Sequence, residues 1–290
     1  MNNNIEKYNK YLYSKGLSIN TVSSYIYDIN NFNKYIENEY NIDIFKTKKA
    51  QILTYLVNLQ KQGKSSSTIS RTISALKNFF EYLKKEGALN ESPAVSIHSP
   101  KPIKKIPVYL SENEINDLMD LPDKNTFKGS RDSALLELMY SSGIKVTELI
   151  NIKMCDVNIS AGIINIENKQ RVIPLSNITQ NAIKNYICNF RNTKCENNND
   201  YLFINISGEP ISRQGIWKIL KYYEKKLGIA KELSPQILRN SFAVHMLSHG
   251  ADIGTVQELM GLTTITAAQS YLQNLNFKSL EVFKKTFPRL

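Results

Sequence analysis

Along residues 21–36, TVSSYIYDINNFNKYI, apolar side chains recur at Val22, Tyr25, Ile26, Ile29, Phe32 and Ile36. Steps of three and four give a period near 3.6, which predicts an amphipathic helix. AQILTYLVNLQKQG repeats the pattern through Ile52, Tyr55, Leu56 and Leu59, and Gly63 supplies a stop. SSSTISRTISALKNFFEYLKKEG puts Ile69, Ile73, Leu76, Phe80 and Leu83 on one stripe, with Ser66, Arg71, Lys77 and Lys84 off it. The N-terminal part therefore reads as a small bundle of four helices with short connections.

The pattern breaks at ESPAVSIHSPKPIKKIP, where Pro93, Pro100, Pro102 and Pro107 forbid a continuous helix. A stiff linker is expected at 98–108, between a helical domain at 1–97 and a second domain at 109–290. A chain of 290 residues is long for one core, which agrees with two. The second domain opens on SENEINDLMDL, where Ser111 and Glu114 form a capping box. SRDSALLELMYSSG predicts a helix ending near Gly143, and IKVTELINI a short one with Lys145 ahead of its apolar positions. GIINIENKQRVIPL holds two alternating runs around Glu167–Asn168, a β-hairpin signal. Helices follow in NITQNAIKNYICNF and ISRQGIWKILKYYEKKLG, with a short strand YLFI between them. SPQILRNSFAVHMLSHG, DIGTVQELMG, TITAAQSYLQ and a last stretch through LEVFKKTF complete the set. The fold class is mainly α with a small antiparallel β-sheet.

Charge narrows the partner. A net +11 and a pI near 9.3 suit a polyanion, nucleic acid before anionic lipid. Residues 1–106 hold 16 Lys and Arg against 8 Asp and Glu, so most of the excess lies there. No unbroken apolar run reaches the roughly 18 residues of a membrane span. MNNNIEKYNKY lacks an apolar signal core, so a cytoplasmic protein is expected. Cys155, Cys188 and Cys195 are too few and scattered for a disulfide framework. His245 and His249 have the spacing of a zinc helix, but HMLSH contains no acid, and Leu238, Phe242 and Met246 set His245 beside a buried stripe. No metal or cofactor is expected. What stands out is Gln236 with Arg239, three apart on one face where a helix opens at Pro235. Free N–H groups and the helix dipole favour an anion there, and arginine offers a fork matched to phosphate.

SPQILRNSFAVHMLSHGADIGTVQELMGLTTITAAQSY resembles the C-terminal signature of the tyrosine recombinases, above all the Xer-type and phage-integrase-like members. That signature has an H-x-x-R pair opening a helix, a Leu-Gly-His after the next, and a tyrosine about nine residues on. The resemblance extends to SSGIKVTELINI, to the hairpin ending RVIPL, to the helical N-terminal domain and to the terminal FPRL, in order along nearly the whole chain.

It implies a SAM-like core-binding domain followed by an α+β catalytic domain. It also implies strand cleavage in which a tyrosine attacks a DNA phosphodiester, leaving a 3′-phosphotyrosine and a free 5′-hydroxyl without metal or ATP. By this resemblance Tyr271 stands at the nucleophile and Arg239 at the second arginine. Lys145 replaces the first arginine, Gln236 the histidine of H-x-x-R, and Leu262 the histidine or tryptophan after Leu-Gly. Lys169 is the candidate hairpin general acid. Lysine keeps the charge without the fork, glutamine donates but does not shuttle a proton, and leucine does neither. Two functions follow: site-specific recombination through a phosphotyrosine, or binding of a DNA site without cutting, as a regulatory or architectural protein or a silent partner. The resemblance further implies a C-shaped clamp on double-stranded DNA. Ser66, Thr68, Arg71 and Lys77 would lie near the major groove and Arg213 and Gln214 at bases or phosphates, while the basic linker's Lys101, Lys104 and Lys105 would follow a phosphate backbone or remain solvated. The last helix, with Leu275, Leu280, Phe283 and Phe287, would dock on a neighbour in a homo- or hetero-tetramer.

Overall fold

The computed structural model describes residues 2–99, 106–166, 171–194 and 199–272. Its contacts divide the chain into two units, Met1–Lys104 and Lys105–Leu290. In the first, α1 (Asn2–Ser14), α2 (Ile19–Tyr40), α3 (Lys49–Lys61) and α4 (Ser66–Lys85) form the expected bundle. Ser18 and Ser65 cap α2 and α4, each accepting at 3.2 Å from a first-turn N–H. The stripes read from the sequence are the buried ones: Val22, Ile29, Phe32 and Ile36 on α2 meet Ile69, Ile73, Leu76, Phe80 and Leu83 on α4. Tyr25 and Ile26 are only half-buried. Asp28 interrupts the apolar face of α2, and Arg71 satisfies it with both Nε and Nη2 at 2.9 Å.

The second unit begins with α5 (Glu112–Asp120), started by the capping box: Ser111 Oγ accepts from Glu114 N–H, and the Glu114 carboxylate from Ser111 N–H at 2.6 Å. Then come α6 (Phe127–Ser142) and the four-residue α7 (Val146–Leu149). An antiparallel sheet in the order β1 (Val157–Asn158), β2 (Ile163–Ile166), β3 (Arg171–Pro174) follows. Ile164 pairs with Ile173 and Ile166 with Arg171, and these four point inward while Asn165 and Val172 are exposed. The hairpin thus lies where the alternation placed it; its turn, with Glu167 and Asn168, lies outside the described residues. β1 has two residues, too few to show an alternation in sequence.

YLFI is not a strand. Lys153–Tyr201 and Ile204–Pro210 are isolated bridges. Leu202, Phe203 and Ile204 are all buried, so no face alternates. Their backbone groups find separate partners: Leu202 N–H donates to Ile152 O at 2.8 Å, Ile204 N–H to the Tyr186 hydroxyl at 3.1 Å, and Phe203 O accepts from Ile211 N–H at 3.0 Å.

α8 (Asn177–Tyr186) runs through a π-helical turn, Ile187–Arg191, into α9 (Asn192–Lys194), and α10 is Arg213–Leu227. α11 (Pro235–Ser248) is buried on nearly every side and packs against α6, α12 (Ile253–Met260) and α13 (Ile265–Leu272). Two polar side chains of α11 hold the entering chain: Asn240 donates to Val108 O at 2.8 Å, and Ser241 Oγ accepts from Leu110 N–H at 2.9 Å. The last expected helix, with Leu275, Leu280, Phe283 and Phe287, lies outside the described residues.

Candidate active site

Ser234 caps α11 and Pro235 occupies its first turn, so Gln236 and Arg239 project from the helix start. Arg239 is only 5% exposed. Its Nη2 donates to Met260 O at 2.7 Å and its Nη1 to Gly143 O. Burial pulls its pKa down, while Tyr271 and Glu148 pull the other way and Arg171 adds to the lowering; a guanidinium remains charged throughout. Gly143 ends α6 at φ +54°, and a Cβ there would sit 2.5 Å from the Phe242 ring. Only glycine lets α6 stop against α11 and aim that carbonyl at Arg239.

Tyr271, on α13, is also 5% exposed and packs with Phe242, Ala243, Val256 and Met260, with Leu262 at the edge. Burial raises its phenol above the ordinary range, against the Arg239 charge and a hydrogen bond from Gln236, which both lower it. Gln236 Nε2 donates to Asn240 Oδ1 at 2.8 Å as well. Gln236, Arg239 and Tyr271 therefore share one pocket, with a charge and a donor aimed at one buried hydroxyl.

The far wall is the end of α12. A helix leaves its last carbonyls without intrahelical donors. Gly261, at φ +59°, turns the chain so that Gly261 N–H reaches Glu258 O and Leu262 N–H reaches Gln257 O, both at 3.0 Å. The next three carbonyls each accept from a cation: Leu259 O from Arg171 Nη1 at 3.0 Å, Met260 O from Arg239, and Gly261 O from Lys145 Nζ at 3.1 Å. The negative end of a helix dipole thus faces three positive side chains drawn from β3, α11 and the start of α7. Of the six candidate catalytic positions, Tyr271, Arg239, Gln236, Lys145 and Leu262 come together here. Lys169 lies outside the described residues.

Two sequence profiles match this chain. That of the phage integrase family matches residues 108–277, and that of the phage integrase N-terminal SAM-like domain matches residues 5–87. The chain belongs to the phage integrase family. Among its relatives is a Caldanaerobacter subterraneus protein assigned by name to the tyrosine recombinases, 41% identical over 95% of this chain and 94% of that one. The tyrosine recombinase XerD of Staphylococcus haemolyticus is 36% identical over 98% of each chain. The fold matches the XerH site-specific recombinase in a post-cleavage complex with its difH substrate, at TM-score 0.76 and 20% identity over 96% of this chain and 82% of that one. The chain is thus a tyrosine recombinase of the Xer type.

The remaining predicted site residues are distributed as follows. Ser66 is exposed near the start of α4, Thr68 joins the Ser65 cap, and Lys77 is half-buried. Arg71 is the partner of Asp28, with its guanidinium committed to that carboxylate. Arg213 and Gln214 are exposed at the start of α10. Lys101, Lys104 and Lys105 lie outside the described residues. His245 is buried, its Nδ1 2.9 Å from the Tyr140 hydroxyl. No cluster of potential metal ligands occurs among the described residues, and no helix among them is long and apolar enough to cross a membrane.

Arg171 and Glu148 are two further charged residues beside the pocket that the motif positions do not include. Both are buried, and Arg171 Nη2 meets Glu148 Oε2 at 2.6 Å. The signal was available: strand alternation puts Arg171 in phase with inward-facing Ile173, where an arginine is costly unless paired.

Proposed function

We propose that this protein is a site-specific DNA recombinase that cleaves one strand through Tyr271 and conserves the bond as a 3′-phosphotyrosine. The observation that supports it is the convergence of Tyr271, Arg239 and Gln236 in one cationic pocket. In this reading the scissile phosphate takes the place opposite Arg239, which gives two donors to its non-bridging oxygens, with Lys145 as a second positive charge. Tyr271 loses its proton to solvent, the phenolate oxygen attacks phosphorus, the P–O5′ bond breaks, and the 5′-oxygen takes up a proton, for which Lys169 is the candidate donor. Reversal with a different 5′-hydroxyl joins a new strand, and no ATP is consumed. Gln236 steadies the phenolate by hydrogen bonding.

Leu262 offers no donor, and each missing transition-state donor costs on the order of 10²–10³ in rate. Three replacements acting as a unit bring a loss of about 10⁴ relative to a full set. That chemistry favours a second reading, in which the protein clamps its DNA site and cuts only slowly. Both readings take double-stranded DNA as the partner, engage it through both domains (1–97 and 109–290) and the 98–108 linker, and place the protein in the cytoplasm. Assembly up to a tetramer would use the C-terminal helix.

A test begins with a duplex recovered by binding from a randomised pool and re-synthesised with a nick beside the cleavage position. Recombinase action gives an SDS-stable protein–DNA species that Tyr271→Phe abolishes. Tight, salt-sensitive binding with no such species leaves the clamp alone, and no duplex binding at low salt removes both.

A further inference from the structure

Arg171 has no place in the cleavage scheme above, yet it is a buried, doubly hydrogen-bonded cation beside the pocket. It lies on the first residue of β3 and reaches two elements distant in sequence: Glu148 on α7, at 2.6 Å from Nη2, and Leu259 O at the end of α12, at 3.0 Å from Nη1. The Glu148 carboxylate in turn accepts from Lys145 N–H at 3.2 Å. A Cβ on Gly261 would collide with Arg171 Nη1, so the glycine also serves this approach.

The pair is a poor investment if stability is its only effect. Both side chains are under 10% exposed, and Arg171 Nε is buried without a hydrogen-bond partner. An unmet buried donor costs about 1–3 kcal/mol, and buried ion pairs are commonly matched or bettered by apolar side chains of similar volume. What apolar packing does not reproduce is a rigid planar fork fixing two elements at one separation.

We infer that Arg171 is a positioning residue for the phosphate clamp, locking α7 to the last turn of α12. The lock places Lys145, through Glu148, at one edge of the pocket. At the other edge it places the Met260 and Gly261 carbonyls that hold Arg239 and Lys145 before phosphate arrives. Arg171 itself need not touch DNA. This rests on the cleavage reading for its activity readout only.

The test compares Arg171→Met/Glu148→Met, which replaces the pair by two apolar side chains, with Arg171→Lys, which keeps the charge but not the fork. Probes are the nicked duplex above and hydrogen exchange of the Arg239 Nε–H, assigned by NMR through its loss in Arg239→Lys. The double variant should keep its Tm and bind duplex nearly as wild type. Adduct formation at saturating duplex should fall about 10²-fold, the cost of ångström-scale misplacement, and Arg239 exchange should accelerate at least about tenfold. A double variant with wild-type cleavage and wild-type Arg239 exchange overturns the inference and leaves Arg171 a stability residue. If the double variant does not fold, Arg171→Lys decides: cleavage loss without equivalent loss of Tm supports positioning, and rates that merely follow Tm contradict it. If the wild-type protein forms no adduct, the cleavage reading fails, and Arg239 exchange alone settles the role of Arg171.

Discussion

At Tyr271 the protein holds a phenol that burial keeps protonated more strongly than free tyrosine, whose pKa is near 10.0. Across neutral pH the attacking phenolate is therefore a minor form that grows tenfold with each pH unit. The single-turnover rate of adduct formation should climb by about a factor of ten per unit from about pH 6 to pH 9, with no plateau. A flat profile would show that another group takes the proton. The same pocket makes a second prediction. Restoring Lys145→Arg, Gln236→His and Leu262→His together should raise the rate by at least about 10²-fold, because each returns a fork, a shuttle or a donor. Gln236 and Arg239 were legible as a polar pair at a helix start, whereas Tyr271, Lys145 and Leu262 were legible only through the resemblance to the tyrosine recombinases. Strand alternation marks Arg171 as inward-facing, but its pairing with Glu148 was not legible, because an ion pair between a strand and a four-residue helix leaves no periodic mark. Arg71 shows the reverse: its exposed place on α4 is plain in the sequence, but its bond to Asp28, 43 residues away, is not.

Among the elements, most helices were readable because they carry an apolar stripe, a cap, or both. Ser18, Ser65, Ser111, Ser234 and Asp252 all accept first-turn N–H groups. Replacing Ser111 by Ala should cost about 1 kcal/mol, measured by denaturant unfolding, since it removes half of a reciprocal cap. YLFI misled because three consecutive buried apolar residues look the same whether they lie in a ladder or merely bridge two loops. The α6–α11 junction is the more sensitive place. Gly143→Ala should destabilise by roughly 1–3 kcal/mol, combining a positive φ with a collision against Phe242, and should weaken cleavage further by moving the carbonyl that holds Arg239. An alanine variant with wild-type Tm and rate would contradict that reading of the junction.

For the molecule as a whole, two compact units and a basic excess gathered in residues 1–106 frame the proposed interaction with a duplex. If both units engage DNA, affinity should fall by about 10³-fold or more between 50 and 200 mM salt, the response of a protein neutralising at least roughly six phosphates. Removing residues 1–106 should flatten that salt slope, which titrations at several salt concentrations would measure.

The most direct measurement is the identity of the residue joined to DNA. The adduct from the nicked duplex is digested with nuclease and trypsin, and the modified peptide is sequenced by mass spectrometry. A nucleotide attached through its 3′-phosphate to Tyr271 is the expected result. A nucleotide on any other side chain, or no modified peptide from a duplex the protein binds tightly, would contradict the role given to the pocket around Arg239.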